Sequence, residues 1–329
     1  MMEPLLSVRD LDVGFTQGKQ IRRVTDGVSF DLYPGEILCL VGESGCGKSV
    51  SALSLLGLLP RQGRVLAGQA LLDGRDLLKL DAKSLDQVRG RDAAMIFQDI
   101  MYSLNPVLTI GFQMTEGMRR HLAMTKEAAR AEAIRLLEKT GIPDPAGVMR
   151  KYPHQLSGGM RQRVMIAMAL ACKPRILIAD EPTTALDVTI QLQIMQLLRR
   201  LRDETGMAIL LITHDIGVVA EMADRVCVMY AGQVVETAPV QTLLTAPAHP
   251  YTRALMQAVP ALHQRRDSRL YNIPGAVPEN FDHMTGCRFA PRCPYGEACA
   301  RTADFSSLTG DHRVRCCRPL TEGGDAHGA

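Results

Sequence analysis

Long apolar runs are absent from this chain of 329 residues. The longest unbroken ones, such as residues 164–172, reach about half of a membrane span, which excludes a transmembrane helix. No positively charged start followed by an apolar stretch marks a signal peptide, so the expectation is a soluble cytosolic protein. An excess of one charge is missing too. Lys and Arg number 38 against 35 Asp and Glu, and the resulting +3 argues against nucleic acid as the main partner. No internal repeat appears, which removes repeat architectures. Neither a C-x2-C zinc ribbon nor a ferredoxin run is found among the nine cysteines. The chain does have the length for a large α/β domain with one appendage, and its 46% hydrophobic content is ordinary for a globular protein.

Residues 42–49 read Gly-Glu-Ser-Gly-Cys-Gly-Lys-Ser and fit G-x-x-x-x-G-K-[ST] at every fixed position. An apolar run at 36–41 precedes them and a helix-like stretch at 50–59 follows, which is the strand–loop–helix setting such a loop needs. Gly42, Ser44, Gly45, Cys46, Gly47 and Val50 would contribute backbone around a triphosphate, at a helix N-terminus that adds positive potential. Lys48 would reach the outer phosphates, and the Ser49 hydroxyl would ligate Mg²⁺.

The rest of the pattern is α/β. Residues 5–15, 23–32, 68–73 and 93–98 read as strands. Residues 126–141 form an amphipathic helix stopped by Gly141 and the prolines after it, inside a helical insertion over about 99–160. Strands at 175–179 and 207–213 alternate with helices at 164–172, 189–204 and 216–223, implying a mostly parallel, covered sheet. A hairpin is expected to turn at Ala231 and Gly232. The α/β domain that carries the phosphate loop is expected over 1–262. A small loop-rich module follows over 263–329, introduced by a basic linker at 263–269 and closed by a polar tail from 321.

Two further motifs carry chemistry. Residues 175–182 read Arg-Ile-Leu-Ile-Ala-Asp-Glu-Pro, a buried strand ending in Asp180, which would meet Mg²⁺, and Glu181, which would polarise an attacking water. Residues 156–162 read Leu-Ser-Gly-Gly-Met-Arg-Gln and open an apolar helix. Ser157 suits the N-cap, while Gly158 and Gly159 expose N–H groups that can grip a phosphate.

With Gln98 after a strand, Ala185-Leu-Asp187, and His214 after another strand, six motifs stand in order, and the chain resembles the ATPase subunits of ATP-binding-cassette (ABC) transporters over about 4–260. That resemblance implies a P-loop (RecA-like) core and a head-to-tail pair of ATPase subunits, with ATP between one subunit's Walker A (residues 42–49) and Walker B (residues 175–182) motifs and the other's Leu-Ser-Gly-Gly loop. It implies that Gln98 senses the γ-phosphate and Mg²⁺ beside Ser49 and Asp180. It also implies that His214 holds the γ-phosphate and water, that Asp187 connects the two sites, and that Phe15 stacks on adenine. One motif set, without a long coiled coil between Walker A and B, speaks against soluble ABC proteins of translation or repair. No flavin or second-cluster motif supports a redox enzyme with regulatory ATP binding.

Residues 98–106 (Gln-Asp-Ile-Met-Tyr-Ser-Leu-Asn-Pro), 249–255 (His-Pro-Tyr-Thr-Arg-Ala-Leu) and 272–278 (Asn-Ile-Pro-Gly-Ala-Val-Pro) resemble the dipeptide/oligopeptide importers, most of all the D-type ATPase subunit of dipeptide importers. Nickel importers are close relatives. The implied partners are a second, homologous ATPase subunit, two transmembrane permease subunits and, indirectly, a periplasmic or extracellular peptide-binding protein. The implied place is the cytoplasmic face of the membrane, with residues 98–106 facing a permease. Five cysteines crowd residues 287–317, and by spacing alone they suit zinc or iron–sulfur equally, with unrelated buried thiols as the bland alternative. The resemblance implies a structural [4Fe–4S] cluster on Cys287, Cys293, Cys299 and Cys316, with Cys317 as a spare. Loss of one ligand is then expected to unfold the chain beyond about residue 280 and leave ATP binding intact.

Overall fold

The computed structural model describes residues 3–99, 103–184, 186–258, 272–278, 281–296 and 304–320. Among them the strands are β1 (Leu6–Gln17), β2 (Gln20–Leu32), β3 (Ile37–Val41), β4 (Gly63–Leu72), β5 (Arg75–Asp76), β6 (Ala93–Ile96), β7 (Ile176–Asp180), β8 (Ala208–Thr213), β9 (Arg225–Tyr230), β10 (Gln233–Pro239), β11 (Ser306–Thr309) and β12 (His312–Val314). The helices are α1 (Lys48–Leu55), α2 (Ala82–Val88), α3 (Ile110–His121), α4 (Lys126–Lys139), α5 (Pro145–Val148), α6 (Gly158–Ala169), α7 (Val188–Thr205), α8 (Ile216–Met222), α9 (Val240–Thr245) and α10 (Pro250–Gln257). None of the described helices is long and apolar enough to cross a membrane. The expected basic linker at 263–269 and the polar tail from 321 lie outside the described residues.

The chain forms two compact units. The first comprises Met1–Glu3, Leu32–Glu36 and Lys79–Leu211. Its sheet runs β8-β7-β6, with β6 and β7 parallel and registered Ala93 on Ile176 through Ile96 on Ala179. Every residue of β7 is buried, as an apolar run covered on both faces must be. Helices α3, α4 and α5 follow β6 in this unit. Thr125 caps α4 by accepting from the Ala128 N–H, and Ala129, Ala133, Leu136 and Leu137 form its buried stripe. Helix α7 is capped by Asp187 and stopped by Gly206, left-handed at φ 70°.

The second unit comprises Pro4–Asp31, Ile37–Leu78 and Ile212–Ala329. One sheet runs β2-β1-β4-β5, with β1 and β4 antiparallel. The other carries β11-β12-β10-β9-β3, with β3 parallel to β9 and registered Leu38 on Arg225 through Val41 on Val228. The β9–β10 hairpin turns at Ala231 (φ 44°) and Gly232 (φ 84°), where a two-residue turn needs two left-handed residues.

The small loop-rich module expected over 263–329 does not stand apart from the second unit. Residues from this stretch pack into the second unit. β12 adds to β10, with Glu236 opposite Val314. Phe289 is 2% exposed and meets Tyr230 edge-on, ring centroids 5.2 Å apart. Glu236 has no exposed surface and accepts from the Ala248 N–H (2.7 Å), the His249 N–H (2.8 Å) and His312 Nε2 (2.7 Å). Glu236→Ala strands two amides and an imidazole in the interior, and should destabilise the protein by about 3–5 kcal/mol. Thermal melting checks this, and a melting temperature equal to wild type would remove Glu236 as the anchor of β12.

Candidate functional site

The second unit carries the phosphate loop. Strand β3 ends at Val41 beside Val228, so Gly42 lies against the next residues of β9. A Cβ at Gly42 would stand 2.1 Å from the Met229 carbonyl oxygen and 2.9 Å from Cys46 Sγ, so no other residue fits there without moving the loop. Gly45 and Gly47 take φ of 80° and 99°. Gly47 is the N-cap of α1 and offers no side chain to its first amides, which remain available to an anion. Ser44 and Gly45 are exposed at the mouth, whereas Cys46, Gly47 and Lys48 are buried. Lys48 Nζ donates to the carbonyls of Gly42 (2.7 Å) and Glu43 (3.0 Å) and lies 3.5 Å from Cys46 Sγ. Burial pushes the Cys46 thiol up against the pull of Lys48, so Cys46 packs as a neutral group. Ser49 and Val50 follow on α1, both half-buried.

The first unit carries the carboxylates. Gln98 stands two residues beyond Ile96 and Glu181 two beyond Ala179, and those two residues are paired across the parallel strands. The register therefore brings both side chains to one carboxyl edge, where Gln98 Nε2 donates to Glu181 Oε2 at 2.9 Å. Thr184 Oγ1 donates to the same oxygen at 2.9 Å, a contact with no signal in the sequence. Glu181 is left-handed at φ 44°, while Asp180 before it is buried, 4% exposed.

The remaining expected residues are placed unit by unit. Ser157 caps α6 by accepting from the Met160 N–H at 3.4 Å, with Ser157 and Gly158 exposed and Gly159 half-buried at the helix start. Asp187 caps α7 through the Ile190 N–H at 3.0 Å, whereas Ala185 lies outside the described residues. Phe15 is half-buried on β1 opposite Gly63, and a Cβ on Gly63 would stand 3.0 Å from its ring. His214 is exposed after β8. Of residues 98–106, positions 100–102 lie outside the described residues and Leu104 is buried, 1% exposed.

The late cysteines present a different picture from the expected quartet. Cys299 lies outside the described residues, and among those described no group of three or more His, Cys, Asp or Glu is arranged to hold a metal ion. Cys287 and Cys293 are half-buried, and burial pushes both thiols up. The neighbouring Cys293 and Cys317 raise Cys287 further, and Cys317 raises Cys293.

The ABC transporter family matches residues 25–184, and the family described as oligopeptide/dipeptide transporter, C-terminal region, matches 235–299. The chain is 48% identical over 322 residues to the dipeptide transport ATP-binding protein DppD of Haemophilus influenzae, covering 98% of this chain and 97% of that protein. It is 48% identical over 322 residues to the DppD of Escherichia coli (strain K12), covering 97% and 98%. A solved dimeric bacterial ABC transporter cassette superposes with a TM-score of 0.64 at 30% identity, over 71% of this chain and 98% of that one.

The loop geometry makes a direct prediction. Gly42→Ala displaces the loop from the Met229 carbonyl and should weaken Mg-ATP binding by on the order of 10²-fold, the loss of two or so charge-assisted hydrogen bonds. Calorimetric titration measures it, and affinity within twofold of wild type would show that the close approach is dispensable.

Proposed function

This chain belongs to the ATP-binding proteins of the peptide and dipeptide importer family of ABC transporters, and we propose that it hydrolyses ATP to drive di- or oligopeptides through a membrane complex. The observation that carries this reading is the 2.9 Å hydrogen bond from Gln98 to Glu181 at the strand edge, in a chain that also folds residues 42–49 into an open, glycine-built phosphate loop. Lys48 and the loop amides hold the β- and γ-phosphates, and Ser49, Asp180 and Gln98 attend to Mg²⁺. Glu181 polarises the attacking water, and His214 holds it against the γ-phosphate. Phe15 stacks on adenine.

Family membership supports the assembly: a second, homologous ATPase subunit, two permease subunits and a peptide-binding protein outside the cell. The exposed cap of α6 at Ser157 and Gly158 suits the phosphate of a facing subunit's ATP, and Asp187 links the two sites. The protein then sits at the cytoplasmic face of the membrane, with residues 98–106 toward a permease.

Glu181→Gln keeps the shape and loses the charge. Hydrolysis should fall on the order of 10²-fold or more while Mg-ATP still binds. The assay is phosphate release by the assembled complex with the partner ATPase's own site silenced. Near-normal turnover there would remove Glu181 from the catalytic role.

The finer reading of the late cysteines is a [4Fe–4S] cluster on Cys287, Cys293, Cys299 and Cys316, with Cys317 competing as fourth ligand and Zn²⁺ as the alternative metal. Its support is the family resemblance and the density of cysteines along this stretch of the sequence. Such a centre, when bound, supplies a structural cross-link of this loop-rich stretch. Protein purified without oxygen should be brown and carry about four iron atoms per chain, the complement of a cubane cluster. Stoichiometric zinc without iron or acid-labile sulfide overturns the cluster, and an intact cluster in Cys316→Ser moves the fourth ligand to Cys317.

A further inference from the structure

Glu43, the second residue of the phosphate loop, is held from far along the chain. Its carboxylate is gripped by Arg292 through a two-pronged pair, Nη1 to Oε2 at 2.7 Å and Nη2 to Oε1 at 3.1 Å. The guanidinium is almost wholly buried, its side chain 4% exposed against 29% for Glu43. Its other donors are used as well: Nε donates to the Pro274 carbonyl at 2.8 Å and Nη1 reaches the Tyr230 hydroxyl at 3.3 Å. The backbone N–H of Glu43 donates to the Tyr251 hydroxyl at 2.9 Å, and Tyr251 is fully buried. The Glu43 carbonyl accepts from Lys48 Nζ at 3.0 Å. A continuous path thus runs from Arg292 through Glu43 to the lysine of the loop, all within the second unit.

The charges give this path its meaning. A free carboxylate one residue past Gly42 would repel an incoming triphosphate. A loop built on Gly42, Gly45 and Gly47 also loses much freedom when a ligand orders it. Arg292 answers both problems: it neutralises the carboxylate and fixes it before the nucleotide arrives.

We infer that Arg292 is a positioning residue for nucleotide binding, clamping and neutralising Glu43 so that residues 42–49 are preorganised for the triphosphate. This rests on the reading of those residues as the ATP loop. It also makes the cysteine-bearing segment, where Arg292 directly precedes Cys293, a part of the ATP site's support, against the expectation that ATP binding is indifferent to that segment.

The test uses the full-length chain titrated with Mg-ATP, and the assembled complex assayed for KM and kcat. Arg292→Ala should raise both Kd and KM on the order of 10-fold with kcat within twofold, because it lowers the competent fraction of the loop and leaves a repelling carboxylate. Glu43→Gln alone should cost no more than about threefold. The double variant should recover most of the loss, since the unpaired charge is gone. A purely structural Arg292 would instead lower kcat and the active fraction at constant KM, with no recovery on Glu43→Gln, and that pattern overturns the inference. Should Arg292→Ala fail to fold, Arg292→Lys, which keeps the charge and loses the fork, carries the test. A rise in KM of about threefold supports the clamp and an unchanged KM overturns it. Wild-type chain that binds no Mg-ATP would sink the ATP-loop reading and the clamp together, whereas normal wild-type binding with an insensitive Arg292→Ala sinks the clamp alone.

Discussion

A buried lysine must be kept beside bare backbone amides, and much of the second unit is arranged around that requirement. Lys48 is 5% exposed, and its ammonium is satisfied by the loop's own carbonyls at Gly42 and Glu43. Those carbonyls face it only because β3 runs in parallel register with β9 and Gly42 comes within contact of the Met229 carbonyl. Gly47 is equally constrained: a Cβ there would stand 2.8 Å from Thr25 Cγ2. Thr25 cannot retreat, because its hydroxyl bridges Val13 and Leu11 of β1. Sheet β2-β1-β4-β5 therefore serves as a wall for the loop, and the glycines are the residues that allow the wall to be close.

The first unit solves a different problem with the same device. Two strands ending in parallel register deliver Gln98 and Glu181 to one edge without a specialised loop. Glu181 then adopts a left-handed conformation that costs an ordinary residue roughly 1–2 kcal/mol. That cost turns its side chain to where Gln98 and Thr184 both donate to one carboxylate oxygen. A carboxylate so held has its orientation fixed by neighbouring side chains alone.

What the sequence discloses follows from what leaves a periodic or fixed-spacing trace. The loop of residues 42–49, strand β7 with Asp180, the capped helices α4 and α7 and the turn at Ala231 and Gly232 all do, because each depends on local geometry. The pairing of Gln98 with Glu181 is half legible: both strand ends are visible, their register is not. The β11–β12 hairpin leaves no trace, since four uniformly exposed residues and an alternation of only three are too short to detect. Arg292 stands 249 residues from Glu43, and no local rule joins residues at such a separation.

The C-terminal residues are easily mistaken for an appendage because they hold few apolar side chains. Besides the β12 pairing and the buried Phe289 ring, cations attach them. Arg288 donates to the Ala231 carbonyl at 2.6 Å and pairs with Asp26, while Arg292, one turn on, takes Glu43. Burial alone would push the Asp26 carboxyl up, yet Arg288, with Gln233 and Arg23, brings it below the usual range. Gly232 completes the fit, since a Cβ there would stand 2.5 Å from the Val24 carbonyl and close to both Phe281 and Arg288. Two arginines thus tie one short segment to the β9–β10 turn and to the phosphate loop. Because both ties are charged and nearly buried, neither can slip by degrees: breaking one leaves a carboxylate or a guanidinium stranded. The segment and the loop are thus joined by the same bonds, and that joining does not depend on what the cysteines hold.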